Sequence, residues 1–352
     1  MATPDLTVRG AGIFGLSIAW AAARRGARVR VTDTGRVGAG ASGGIVGAMA
    51  PHVPEGWNDK KAFQLDSLLM AQDWWAAVTA AGGVSPGYAR LGRLQPLADA
   101  AAVEVAQARA AGAARLWRGA AVWRVIPAKG TGWEPFSPTG LLVEDTLSAR
   151  IAPRAALAAL VAAIRAKGGE VLERVAGDDA ARPVVWATGV AGLADLSRDL
   201  RQVVGAGQKG QAALLAHALP GAPQIFAGGV HLVPHADGTV AVGSTTERDS
   251  DDPGTDQRLE VLIAQARVLC PALADAPVVE RWAGFRPRAH HRAPVLGAWP
   301  GRAGQYIANG GFKIGFGIAQ GVAEAMADLV LEGRNRVPPD LDPEALLSGP
   351  AR

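Results

Sequence analysis

Gly10, Gly12 and Gly15 stand in "TVRGAGIFG", directly after a short β-branched run, and an acid, Asp33, closes the next such run, "ARVRVTD". Residues of these types at this spacing bind the phosphates of a nucleotide. Gly10 permits a tight turn, Gly12 lets the backbone approach a pyrophosphate, and Gly15 lets the following helix pack close to its strand. That helix, expected over about residues 13–25, aims its first amides and the positive end of its dipole at the phosphates. Arg24, Arg25 and Gly26 close it with C-terminal charge and a glycine stop. Asp33 is placed to accept from ribose hydroxyls, and an acid there favours an unphosphorylated ribose. Arg9 departs from the pattern, because such strands usually carry an apolar residue at that point.

Other reactive residue types lead nowhere comparable. Cys270 is the only cysteine, which excludes an internal disulfide framework and suits a reducing cytoplasm. It reads as a small buried apolar residue at a helix end. His290 and His291 are adjacent, so in extended chain they face opposite ways. No Cys, Asp or Glu cluster joins them, and no metal site is expected. The net charge of +4 is small for 352 residues. The arginines are scattered, with no basic run interleaved with aromatics, so no nucleic-acid partner is expected. The longest apolar run, Ala155–Ile164, is short of the ~18–20 residues a membrane helix needs. The chain reads as cytoplasmic, with no membrane span.

The glycine turn alone does not choose between FAD and NAD. Two further segments do. "RPVVWATGVAGL", Arg182 to Leu193, is an apolar strand ending in Ala187-Thr188-Gly189. It looks like the second flavin signature of two-domain flavoproteins. "GQYIANGGFKIGFGIAQGVAEAMADLVLEG", Gly304 to Gly333, is a late strand, glycine turn and long helix. The N-terminus of that helix can set backbone amides against the flavin edge, where negative charge develops on reduction.

The chain resembles the glycine oxidase and D-amino acid oxidase family of FAD-dependent oxidases. The resemblance is carried by Gly10–Gly15, "GASGGIVGAMAPH" (Gly40–His52), "QKGQ" (Gln208–Gln211), "HLVPHADGTVAVGSTTE" (His231–Glu247), "RWAGFRPRAHHRAPVLG" (Arg281–Gly297) and "ANGGFKIGFG" (Ala308–Gly317). These segments run end to end in family order. The resemblance implies that FAD is held by Gly10, Gly12, Ile13, Phe14 and Gly15, by Asp33 and Thr34, and by Ala41, Ser42, Gly47 and Ala48. Val175, Gly189 and the late turn (Gly311, Phe312, Lys313, Ile314, Gly315) complete that set. It implies that Arg286 binds the substrate carboxylate as a bidentate clamp, on a fixed loop between Gly284 and Pro287. It also places Lys313 near substrate and flavin, where glycine oxidases usually carry a second arginine; Gly311 replaces a common histidine. His231 and Thr246 take hairpin positions resembling the tyrosines of D-amino acid oxidases. Lys209 could reach the flavin edge or be structural. No Cys or His stands in a flavin-attachment motif, so FAD should be noncovalent.

The implied fold class is α/β, or α+β in two domains: a Rossmann-like FAD-binding domain interleaved with an antiparallel-sheet substrate domain. Residues 1–50, 145–200 and 280–345 would form the first, 51–144 and 201–279 the second, and 346–352 a tail. The residues agree locally. Val230–Thr245 reads as a hairpin about Asp237-Gly238, and helical patterns fill 61–81 and 100–114. The segment after Val337 is Pro-rich and reads as a loose end. The expected partner is a small amino acid or amine; a homo-oligomer stays open. The expected activity is oxidation of glycine, sarcosine or a small D-amino acid. Alternatives are a dehydrogenase with a non-oxygen acceptor, and an oxidase of a secondary amine on a larger molecule.

Overall fold

The computed structural model describes residues 3–175, 183–248 and 250–345. Arg182 and the tail 346–352 lie outside the described residues. In chain order the first elements are β1 (Leu6–Arg9), α1 (Ile13–Ala23), β2 (Val29–Thr32), β3 (Ala48–Met49), α2 (Asp59–Gly82), β4 (Arg93–Pro96) and α3 (Ala100–Leu116). There follow β5 (Trp123–Pro127), β6 (Leu141–Asp145), β7 (Ala149–Arg150), α4 (Pro153–Ala166), β8 (Glu170–Leu172), β9 (Val184–Trp186), α5 (Gly189–Leu200) and β10 (Gly205–Ala216). The last are β11 (Gln224–Ala227), β12 (Val230–Pro234), β13 (Thr239–Gly243), α6 (Gln257–Leu269), β14 (Val278–Ala289), β15 (Val295–Ala298), β16 (Gln305–Asn309) and α7 (Gly315–Glu332).

A six-stranded sheet runs β15-β16-β9-β1-β2-β8, with every pairing parallel except β15–β16. Its central strand β1 is a short apolar run, and α1 returns from it so closely that every residue of the helix is buried. A helix apolar all round belongs inside a core, and α1 packs on α7 and α4. Gly15 explains the tight return: a Cβ there would stand 1.9 Å from the Gly10 carbonyl oxygen. Arg25 reaches from the end of α1 to Asp328 (2.8 Å) and Glu324 (2.6 Å) on α7, and Arg24 also pairs with Glu324. The two basic residues that close the first helix therefore clamp it to the last one.

An eight-stranded sheet, β14-β10-β13-β12-β11-β4-β6-β5, stands beside the first. Only β11–β4 is parallel. The expected hairpin is β12–β13, turning at Gly238 with φ 85° while Asp237 Oδ1 accepts from the Thr239 amide. The division expected at residue 280 falls inside β14, which pairs with β10 from Gly205 to Leu215. Two expectations are corrected. Arg286 stands on this long strand and not on a loop. The described part of the segment after Val337 is packed, with Leu341 buried. Cys270 is buried in the second core, and burial pushes its thiol up to about 11. Among the described residues no helix is long and apolar enough to cross a membrane.

Candidate active site

The C-terminal ends of β1, β2, β9 and β16 open on a cleft of about 970 Å³, whose far wall is the larger sheet. That is the upper end of the usual range for ligand sites, on the order of 300–1,000 Å³. At one end stand Asp33, Thr34 and Val175; at the other, Phe226, His231, Ser244, Trp282 and Arg286. Gly10, Gly12, Ile13, Phe14, Ala41, Ser42, Gly47, Ala48 and Gly189 line the stretch between them. So do Gly311, Phe312, Lys313 and Gly315 of the late turn. Two residues of the expected set do not reach the cleft. Gly15 is pressed against the Gly10 carbonyl, and Ile314 precedes α7 and packs on the core.

The lining suits a dinucleotide. A Cβ at Gly189 or Gly40 would meet nothing within 4 Å, so the backbone lies open to the cleft. At Gly12 a Cβ would stand 3.1 Å from Ser42 Oγ, which accepts from the Ile13 amide at 3.0 Å. The first turns of α1 and α7 both face the space, and helix N-termini favour anionic or electron-rich groups. The Thr188 hydroxyl on the wall is buried without a hydrogen-bond partner among the described residues. Asp33 does more than the sequence shows: its carboxylate accepts from the amides of Ala11 and Gly35, both at 2.7 Å. It therefore ties the glycine turn to β2 and keeps lone pairs for a ribose. Asp33→Ala should weaken FAD binding by about 1.5–3 kcal/mol, the range for a hydrogen bond to a charged group. Flavin fluorescence titration measures this, and an unchanged affinity in the folded variant would remove Asp33 from the site.

At the other end the cross-strand pair Gly210–Gly284 on β10 and β14 sets the geometry. Neither carries a side chain, and neighbours fold into the space. The Trp282 ring lies where a Cβ of Gly284 would be, at 2.4 Å, and the Arg286 guanidinium where one of Gly210 would be, at 1.9–2.3 Å. Arg286 is 9% exposed, yet among the described residues its one hydrogen bond runs from Nη1 to the Thr245 carbonyl at 3.3 Å. It has no ion pair among the described residues. Burial brings its pKa down to about 10, with Glu247 opposing. A guanidinium has five donors, so most of its capacity is left for a ligand.

Lys313 opens on the same cleft; desolvation, then the Arg286 charge, holds its pKa below the usual lysine value. His231 stacks on its cross-strand partner Phe226, with ring centroids 4.5 Å apart. Burial, then the Arg93 and Lys313 charges, pushes its imidazole down to about 3, so the ring is neutral. An unfolded imidazole titrates near 6.5. Below that pH the unfolded chain binds more protons, so the stability present above about 6.5 is lost as pH falls toward 3. The melting temperature should fall along that limb, and His231→Gln should flatten it. An equally steep limb in the variant would assign the effect to other groups, such as His52 and His235, which burial also holds low.

One sequence expectation changes here, and the choice left open for Lys209 narrows. Thr246 is exposed and outside the cleft; the neighbouring Thr245 carbonyl is what meets Arg286. Lys209 does not line the cleft but is buried at 3.7–3.9 Å from Glu247, Asp256 and Asp252. It is a structural lysine that anchors the segment after β13. His290 and His291 are exposed, and no metal-holding cluster occurs among the described residues. Trp186, Phe226, Ser244 and Trp282 line the site without having been foreseen. Alternation along β14 was the available signal for Trp282, two and four residues before Gly284 and Arg286.

A family model described as FAD dependent oxidoreductase matches residues 5–329. Glycine oxidase of Pseudomonas aeruginosa is 36% identical over 120 residues, 34% of this chain and 32% of that protein. The bifunctional protein ThiO/ThiG of Nostoc sp. is 25% identical over 95% of this chain and 53% of its own length. The chain thus spans about a third of the first relative and about half of the second. The crystal structure of glycine oxidase from Geobacillus kaustophilus superposes with a TM-score of 0.83 at 20% identity, covering 96% of this chain and 98% of that one.

Proposed function

The chain belongs to the FAD-dependent oxidoreductase family that its residues 5–329 match, and from that premise we propose that it oxidises the Cα–N bond of a small amino acid, glycine, sarcosine or a small D-amino acid, to the imino acid. The observation that carries this reading is Arg286, a buried guanidinium with one weak hydrogen bond, facing the cleft at the end away from Asp33. When bound, FAD accepts the hydride that leaves Cα through its N5.

The protein's own part is positioning and electrostatics. Arg286 offers two parallel donors to a carboxylate, which fixes the substrate at two points. Lys313 adds a second positive charge, and the two acids among the described lining residues are already engaged, Asp33 by the Ala11 and Gly35 amides and Asp195 by Arg198. Such a field holds a carboxylate and disfavours an ammonium, so it selects the amine as free base, whose lone pair closes the C=N bond. His231, being neutral, adds no charge to oppose the amine. Water hydrolyses the released imino acid.

A second reading rests on Lys313, which has no carboxylate partner among the described residues. A secondary amine bearing two carboxylates would engage Arg286 and Lys313 together. Anaerobic mixing of the yellow protein with a panel of amino acids and N-carboxymethyl amines tests both. Bleaching by glycine, sarcosine or D-alanine supports the first reading, and bleaching by dicarboxylates alone the second. A flavin that none of them bleaches would refute both.

A further inference from the structure

Arg9 is the last residue of β1, in register with Thr32 and Trp186, and it lines the cleft beside Gly10, Gly12 and Asp33. Its guanidinium lies 5.3 Å from the centre of the Trp186 ring. That ring is held in place: its Nε1 donates to Gln305 Oε1 at 2.8 Å, and it meets Trp299 edge-on with centroids 6.0 Å apart. Arg302 stands over both indoles and donates to Asp199, which also accepts from Trp299 Nε1. Arg302 is thus neutralised and Arg9 is not. The Arg9 side chain has no hydrogen bond and no ion pair among the described residues, and its Nε is buried without an acceptor. Asp195, a carboxylate lining the same cleft, is paired with Arg198 at 2.9 Å.

An unpaired cation half-buried at a glycine turn is costly unless a ligand supplies its counter-charge. We propose that Arg9 is a cofactor-binding residue of this chain, set by its stack on Trp186 to take up negative charge of the dinucleotide phosphates. It adds a side-chain cation where the turn otherwise offers backbone amides and a helix dipole. The proposal rests on a dinucleotide in the cleft and is independent of the substrate.

The test is equilibrium binding of FAD and of riboflavin to the full chain, wild type and Arg9→Leu, at low and high salt, beside the melting temperature of the cofactor-free protein. Loss of one charged hydrogen bond predicts FAD affinity about 10–100-fold weaker in Arg9→Leu. Riboflavin, which has no phosphate, should bind both proteins equally, and the salt dependence of FAD binding should shrink in the variant. Arg9→Lys should recover part of the FAD affinity. Unchanged FAD affinity in the folded Arg9→Leu protein would overturn the proposal, leaving Arg9 as packing for Trp186. Equal weakening of FAD and riboflavin would overturn it too, since the phosphates would not be what Arg9 reads.

Discussion

Arg286→Ala should lower kcat/KM by about 10³-fold or more while the protein stays yellow and melts no lower than wild type. The three parts follow from different observations. The rate falls because a carboxylate brought into the cleft loses its two-point partner and is left desolvated, a penalty that appears in the transition state as well as in binding. The colour persists because the glycine turns and Asp33 lie elsewhere in the cleft. Stability holds because Arg286 is a buried cation without an ion pair among the described residues, offset only through space by Glu247, and removing such a charge relieves a desolvation cost. Arg286→Lys keeps the charge but not the fork, and should lose about 10–1000-fold in kcat/KM. An interdomain ion-pair arginine predicts the opposite pattern: lost stability with normal turnover in whatever stays folded. Rates of anaerobic flavin reduction beside melting curves separate the two. A folded, yellow Arg286→Ala protein that reduces its flavin at the wild-type rate would end the carboxylate-clamp reading.

The parts of the structure legible in the sequence are those that short-range chemistry fixes. Gly10, Gly12 and Gly15 specify strand, turn and helix because each removes a clash within a few residues, and the structure shows those near-contacts directly. The Asp237-Gly238 hairpin is of the same kind. Contacts made across sheets were not legible. Arg286 read as a loop residue because its flanking Gly284 and Pro287 look like turn residues. In fact Gly284 pairs with Gly210 across two strands far apart in sequence, and Pro287 is tolerated on the edge strand β14. Lys209 was ambiguous because nothing near it in sequence shows the three carboxylates that fold back over it from after β13. Thr246 was misassigned because a backbone contact leaves no mark on residue type: its side chain is exposed, and what meets Arg286 is the main-chain carbonyl of Thr245. Arg9 stood out as an anomaly, but its partner Trp186 arrives from a strand about half the chain away.

Gly210→Ala should reproduce much of the Arg286 defect without touching the arginine. A methyl group on Gly210 would sit 1.9–2.3 Å from the Arg286 Nη1, Nη2 and Cζ atoms, closer than any real contact. Gly210 lies within β10, paired with Gly284 on β14, while on the other side its neighbours Lys209 and Gln211 accept from the Glu247 and Thr245 amides, so the backbone is held from both sides. The guanidinium is the far end of a flexible chain, and it will be the part that moves. A misplacement of about 1 Å in a positioning group can cost on the order of 10²-fold, so kcat/KM should fall by about 10–1000-fold, mostly through the steps that need the carboxylate held. FAD content and affinity should stay at the wild-type level. Gly284→Ala is the paired control: there the intruding methyl meets the Trp282 ring at 2.4–2.7 Å and leaves the arginine alone. It should disturb packing at the cleft wall with a smaller loss in carboxylate-dependent rate. Steady-state kinetics on both variants, with a carboxylate-bearing substrate and the same amine as its methyl ester, carry the comparison. The ester lacks the negative charge, so Gly210→Ala should barely change its turnover relative to wild type. Wild-type kcat/KM for the free acid in a folded, FAD-loaded Gly210→Ala protein would mean that the guanidinium's position over that glycine is not what binds the substrate.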